Sequence, residues 1–275
     1  MIGTVQASVR ILLASALVGV GCGRAPARLG VIVNEVAITK ARIDPDRSPQ
    51  GGGTEEPDET SDPPARKADL LGDEALETVV ALPRGQGLEI RNGNGQRVSA
   101  ITTPGYLTDF GILPALRPDK QDLVLYVYPN DSGGGTFTVL TPGERVLASW
   151  EERSPPGRFA IGRWDGHDAI LYLRSAHLVV RSRDARALAE VAVPEGDLYD
   201  VRETIVLGSR AVVLASGGGY RPFHMVLVLE RDGTLVFAEV DPDHGLGLES
   251  SGTDTFIVRT RSGRWRYSLP ASRVP

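Results

Sequence analysis

Runs of strand character return along this chain at intervals near 44 residues, and a period of that length restricts the folds open to it more than any other feature. TVVAL, LVLYVY, AILYL, AVVLA and TFIVR, placed at Val79, Val124, Ile170, Val212 and Phe256, are spaced 45, 46, 42 and 44 residues apart. Each of the first four is followed by a loop and then a hairpin, at Leu88 to Ala100, Phe137 to Ala148, Leu178 to Ala189 and Val226 to Ala238. The hairpins bend at Asn92-Gly93-Asn94-Gly95, Pro142-Gly143, Asp184-Ala185 and Asp232-Gly233, residues that tolerate positive φ or preset a tight antiparallel connection. Another short strand precedes each middle run, at Tyr106 to Leu113, Arg158 to Trp164 and Asp200 to Leu207. The unit is four strands.

Four antiparallel strands in about 44 residues predict one blade of a β-propeller. A lone blade leaves two faces uncovered, and radial stacking buries them between neighbours. The expected fold is all-β, with about five four-stranded blades between Leu76 and Pro270. The final unit, Leu246 to Leu248, Thr255 to Thr260 and Arg264 to Leu269, ends before an outer strand. Val31 to Thr39 is expected to supply that strand and latch the ring. The 32 glycines and 19 prolines agree with a turn-rich body. Trp150, Trp164 and Trp265 are expected to pack between blades.

The residues ahead of the body divide into an address, a short segment and a linker. One arginine precedes the uncharged apolar run Ile11 to Val20. Ten helical residues span about 15 Å, half of a hydrocarbon core, so the run predicts an export signal over 1–22 and not a membrane anchor. Gly19-Val20-Gly21-Cys22 resembles the lipobox of bacterial lipoproteins, although Gly19 stands where an aliphatic residue is usual. The resemblance implies a diacylated Cys22, the alternative being an ordinary signal peptide with a cysteine nearby. Gly23 is compatible with outer-membrane sorting, facing the periplasm or the cell surface. Residues 23–40 hold the closing strand. Residues 41–75 include Ser48 to Pro64, with four prolines, five acids and no aliphatic residue. That composition predicts a solvated, self-repelling linker, and 271–275 form a tail.

Gly162 to Tyr172 (GRWDGHDAILY) resembles the FG-GAP or VCBS repeat of integrin-type propellers, and Pro118 to Tyr126 (PDKQDLVLY) is a fainter copy. The resemblance implies that aspartates of this loop can hold calcium, which wants six to eight oxygens. The candidates are Asp165 and Asp168, with Asp119 and Asp122 in the second copy; the other reading is aspartates that cap a turn. No other cofactor is expected.

Little else in the chain carries chemistry. His167, His177, His224 and His244 show no metal-ligand spacing, and one cysteine cannot form an intrachain disulfide or a cysteine-based zinc site. Ser216 lacks a nucleophile elbow. Gly133 to Gly135 and Gly217 to Gly219 lack the lysine and helix of a phosphate loop. A formal charge of -5 argues against sequence-independent nucleic-acid binding. Both glycine triplets join second to third strands, which open on one side of a propeller. That side gathers Arg84, Gln86, Asp131, His177, Tyr220, Arg221, Phe223, Arg261 and Arg264 as candidate ligand-binding residues. Arginine and tyrosine often carry binding energy, while alternating Arg259, Arg261, Arg264 and Arg266 also fit a strand's wet side. The expected function is a non-catalytic, lipid-anchored binding or scaffold module for an envelope protein or glycan. The alternative is a channel-type propeller enzyme acting on glycans, which requires acids converging on the axis.

Overall fold

The computed structural model describes residues 31–34, 38–43, 65–71, 75–117, 120–129, 134–153, 157–194, 198–218, 223–243 and 245–270. The chain is all-β, a propeller of five antiparallel sheets. Strands β1 (Val31–Asn34) and β2 (Thr39–Ile43) come first. The first blade is β3 (Ala65–Ala68), β4 (Glu77–Ala81), β5 (Gly87–Arg91) and β6 (Arg97–Thr102). The second is β7 (Tyr106–Arg117), β8 (Lys120–Tyr128), β9 (Gly135–Leu140) and β10 (Val146–Glu152). The third is β11 (Ala160–Trp164), β12 (His167–Arg174), β13 (His177–Ser182) and β14 (Ala187–Ala192). The fourth is β15 (Leu198–Leu207), β16 (Arg210–Gly217), β17 (Phe223–Leu229) and β18 (Leu235–Asp241). The fifth is β19 (Gly245–Ser250), β20 (Thr255–Thr260) and β21 (Gly263–Ser268).

Two boundaries differ from the sequence expectation. The closing strand is β2, paired with β21 from Thr39↔Ser268 to Ile43↔Arg264. It lies a few residues later than Val31 to Thr39. The earlier residues, as β1, pair with β18 and give the fourth blade a fifth strand. The first blade also starts within residues 41–75, because Ala65–Ala68 pairs with β4. ARKA has no aliphatic run to announce a strand. Its pairing with β4 and the Arg66 ion pair to Asp109 of the second blade hold it in place.

Apolar clusters fill four interfaces. Val79, Leu88 and Ile90 of the first blade meet Phe110 and Leu125 of the second. Phe137 and Tyr126 meet Ile170 and Tyr172 across the next interface, where Phe137 also stacks on Trp150 at 5.0 Å. Leu171 and Trp164 pack with Val213 and Leu227, and Val228 and Phe237 pack with Phe256, Tyr267 and Trp265. Each large apolar side chain fully buried this way contributes roughly 1.5–3 kcal/mol. In the second, third and fourth blades the middle strands are covered on both faces, so their sequences read as unbroken apolar runs. In β5 of the first blade and β21 of the fifth the pattern alternates: Leu88 and Ile90 are buried while Arg91 is exposed, and Tyr267 is buried while Arg264 and Arg266 are exposed.

Close approach near the axis depends on two glycines at matching places in the innermost strands. A Cβ at Gly111 of β7 would lie 2.7 Å from Ile161 of β11. One at Gly162 of β11 would lie 2.3 Å from the Thr204 methyl of β15. Any larger residue would wedge neighbouring blades apart.

Candidate functional site

The connections between second and third strands leave one side of the propeller, and between the second and third blades that side carries a cleft. Two adjoining hollows of about 470 and 460 Å³ share Glu151, Glu152 and Arg153. Arg174, Ser175 and His177 form one wall, and Pro129, Gly134, Gly135 and Thr136 the other. Glu152 ends β10 only 2% exposed. It accepts a hydrogen bond from the Tyr172 hydroxyl and ion-pairs with Arg174 at 3.4 Å and Arg181 at 3.6 Å. Arg181 Nε also donates to Tyr172 at 3.0 Å, and Arg174 reaches Glu190 at 2.7 Å. Burial, reinforced by the Glu152 carboxylate, pushes the Tyr172 hydroxyl up to about 12.

Tyr126 lies fully buried beneath the cleft. Its hydroxyl is buried without a hydrogen-bond partner among the described residues, and a Cβ on Gly135 would lie 2.3 Å from it. Burial first, and Glu152 second, raise its pKa well above that of a free tyrosine. The floor is therefore held neutral on Tyr126 and Tyr172, with Glu152 balanced by two guanidiniums. The rim offers exposed Glu151 and Arg153, with half-buried Arg174 and His177. This arrangement presents hydrogen-bond donors and cationic groups to a ligand.

Three acids of the innermost strands are engaged between blades. Asp109 of β7 accepts from the Phe159 amide at 3.2 Å and from its neighbour Phe110 at 2.8 Å. Asp200 of β15 accepts from the Arg158 amide at 2.7 Å, and Glu203 from the Leu248 amide at 2.5 Å. Burial raises the Asp109 pKa, opposed by Arg66 and the two amides.

On the opposite side lie the calcium candidates Asp122, Asp165 and Asp168. Asp165 sits in the β11–β12 turn at φ 48° and ion-pairs with Arg231 of the fourth blade. Asp168 pairs at 3.3 Å with Arg183, which also holds Asp122 of the second blade at 2.9 Å. Asp165 and Asp168 thus reach different arginines. Among the described residues no three of His, Cys, Asp and Glu converge as a metal site.

The candidate ligand-binding residues share a side of the disc more than a pocket. Arg84 is exposed at φ 59° in the 3-10 turn between β4 and β5, followed by exposed Gln86. His177 lines the cleft, and Arg261 is exposed in the β20–β21 turn. Phe223 packs instead against the cluster between the third and fourth blades. Arg264 projects from the flank of the fifth blade to Glu249 at 2.7 Å. Cys22, Asp119, Asp131, Tyr220, Arg221 and His244 lie outside the described residues. Sequence reasoning missed Glu152, Tyr172, Arg174 and Arg181, and the available signal was a polar residue inside a strand run, as in LVVRS.

No protein-family model matches the chain, and no curated protein matches it. Similarity to solved structures is found at the level of fold. BBS1N in complex with ARL6DN, soaked with mercury, aligns at TM-score 0.50 and 14% identity over 75% of this chain, which spans 65% of that one. The lead-soaked complex aligns at 0.51 and 15% over 78% of this chain and 82% of that chain. A protein of unknown function from Bacteroides caccae aligns at 0.42 and 10%, over 69% and 68%. Shared architecture and five sheets together make the chain a β-propeller.

Proposed function

We propose that this chain is an exported, lipid-anchored propeller that binds a protein partner at a bacterial cell envelope and performs no chemistry. The observation that carries the reading is the cleft between the second and third blades, whose rim presents Arg153, Arg174 and His177 above a neutralised floor. Arginine-rich rims over desolvated floors suit protein recognition. The engagement of Asp109, Asp200 and Glu203 by backbone amides supports a scaffold role for those acids. A propeller of similar fold, BBS1N, is found in complex with ARL6DN, which supports a protein over a glycan as ligand. Export and anchoring rest on Ile11 to Val20 and on the lipobox-like residues before Cys22. Two acyl chains would hold the domain on a bilayer, facing the periplasm or the cell surface.

The test is chemical cross-linking in intact bacterial cells, comparing the full chain with Arg153→Glu and Arg174→Glu variants. One partner recovered with the unaltered chain and lost at least tenfold with either variant is expected; equal recovery overturns the cleft as the site. Palmitate labelling lost in Cys22→Ser is expected, and label retained in that variant overturns the anchor.

A further inference from the structure

The side of the disc that bears the cleft holds cations that the fold leaves unpaired. Arg84, Arg153 and Arg261 are exposed there, and none of them has a carboxylate partner among the described residues. Exposed Glu151 stands beside them, while Glu152 and Glu190 are already engaged by Arg174. The chain as a whole has a formal charge of -5, so this surplus runs against its overall balance.

A continuous ridge of contacts leads from Arg84 to the cleft that Arg153 lines. Arg84 sits at φ 59°, in the left-handed region that favours glycine. Gly85 follows at φ 64° beneath the Tyr106 ring, where a Cβ would come within 2.6 Å of that ring. The Thr103 amide donates to the Gln86 carbonyl at 3.2 Å, and the Thr103 hydroxyl donates to the Gly105 carbonyl at 2.8 Å. Gly105 packs on the next two residues of the ridge: a Cβ there would lie 2.5 Å from the Tyr128 carbonyl oxygen and 2.9 Å from Pro129 Cα. Tyr106 and Tyr128 are partners across β7 and β8, and Pro129 is a wall of the cleft. Tyr106 keeps 53% of its surface exposed, with Tyr128 and Pro129 half-buried.

The ridge is thus pre-formed by hydrogen bonds and close packing, and it sets the rings of two tyrosines and a proline between two free guanidiniums. Tyrosine offers a large contact area at low entropic cost, and tyrosine and arginine are the residue types that dominate binding energy. Glycine would suit position 84 better than arginine, and no carboxylate of the described fold offsets the backbone strain of keeping the larger residue there.

We propose that the partner engages the cleft through an extended acidic segment, which runs from Arg153 along Pro129, Tyr128 and Tyr106 to Arg84 and sets carboxylates on the two guanidiniums. This rests on the reading of the cleft as a protein-binding site and adds the chemistry of its ligand. A guanidinium matches a carboxylate with its planar fork, whereas a basic or apolar segment would leave both arginines unpaired. The pairing is exposed, so salt weakens it.

In intact bacterial cells a water-soluble carbodiimide joins an amine to a carboxylate in contact with it, forming an amide while the reagent takes up the water and becomes a urea. It is applied to the full chain carrying Arg84→Lys or Arg153→Lys. Each introduced amine is expected to couple to an aspartate or glutamate of the same partner protein, and mass spectrometry should map both to one stretch of its sequence. Arg84→Gly removes the cation from a turn that glycine suits, so its thermal midpoint should equal or exceed that of the unaltered chain. Recovery of the cross-linked partner by this variant should fall about tenfold, and by Tyr106→Ala several-fold. Recovery that neither variant changes, while Arg153→Glu still abolishes it, overturns the acidic segment and leaves the cleft reading standing. Equal recovery with Arg153→Glu and no coupling at either position overturns both. Coupling of the introduced amines to a carboxylate of this chain or of a glycan, in place of another protein's, overturns the proposal as well.

Discussion

Arg183, in the turn after β13, donates to Asp122 of the second blade at 2.9 Å and to Asp168 of its own blade at 3.3 Å. One guanidinium thus takes the equivalently placed aspartates near the starts of β8 and β12, supplying the positive charge that a cation would bring. Arg183 and Asp122 are both largely buried. Removing the arginine strands two carboxylates, and breaking such a pair costs about 3–5 kcal/mol. Arg183→Met is expected to lower stability by that amount in urea titration, and adding Asp122→Asn and Asp168→Asn should restore most of it. No recovery in the triple variant would mean that packing, not charge, sets the cost.

Gly162 meets the methyl of Thr204 where the third and fourth blades converge. Gly162→Ala keeps an ordinary strand conformation, so its effect is purely steric. Overpacking of this kind costs about 1–3 kcal/mol. Thr204→Ser removes the opposing methyl, and the double variant is expected to recover at least half of the loss. Additive losses would refute the contact as the cause.

Lys40 of β2 reaches over the fourth blade to Glu239 and, at 3.2 Å, to Asp241, while lying 4.7 Å from the Trp265 ring centre. Burial alone would lower its pKa, but the Tyr267 oxygen and Glu239 outweigh that and hold it raised. Lys40→Met leaves two half-buried acids unpaired on β18, so a loss of about 2–4 kcal/mol is expected. Hydrogen exchange should then quicken first in β2 and β21. Uniform quickening across all five blades would argue against a local latch.

The blade count was legible because the second, third and fourth blades bury both faces of their middle strands, leaving runs such as AILYL and AVVLA at a regular period. ARKA was not legible, since a four-residue inner strand with two cations carries no apolar signal and depends on β4 and Asp109. The handover from β1 to β2 was only partly legible: VIVN looks the better strand, yet TKARI forms the fifth blade's edge because Lys40 finds its acids on β18. At the site, strand connectivity placed His177, Arg84 and Arg261 on one side of the disc. Glu152 escaped notice because its partners Tyr172 and Arg181 lie 20 and 29 residues away, and such pairing is set by blade stacking.

His224 of β17 is 1% exposed, and its Nδ1 lies 2.5 Å from the Asp243 carbonyl oxygen. Burial lowers its pKa below 6.5, outweighing the Asp243 hydrogen bond and the Asp241 charge, while Lys40 lowers it further. Above pH 6.5 the ring is neutral folded and unfolded, and it contributes no pH dependence. As pH falls through 6.5 the unfolded chain takes up a proton that the folded chain refuses, so stability is lost toward acid, at up to about 1.4 kcal/mol per pH unit. Urea midpoints between pH 7.5 and 5 should fall for the unaltered chain more steeply than for His224→Gln. Parallel curves would show that another group governs the slope.

The alkaline limit follows from the tyrosines of two blade interfaces. Tyr126 and Tyr172 flank Glu152, and Tyr267 stacks on Phe256 at 4.8 Å. Burial is the leading cause of a raised pKa in all three, with a nearby glutamate second. Each therefore keeps its proton when folded, whereas in the unfolded chain each releases it near pH 10. Stability is intact below that pH and is lost as pH rises through it. Spectrophotometric titration should show these three ionising only as the chain unfolds. In Glu152→Gln the Tyr172 hydroxyl loses its anionic neighbour but stays buried, so its ionisation should move down toward, without reaching, the ordinary value. Seven tyrosines titrating together near pH 10 in a folded chain would contradict the buried floor of the cleft.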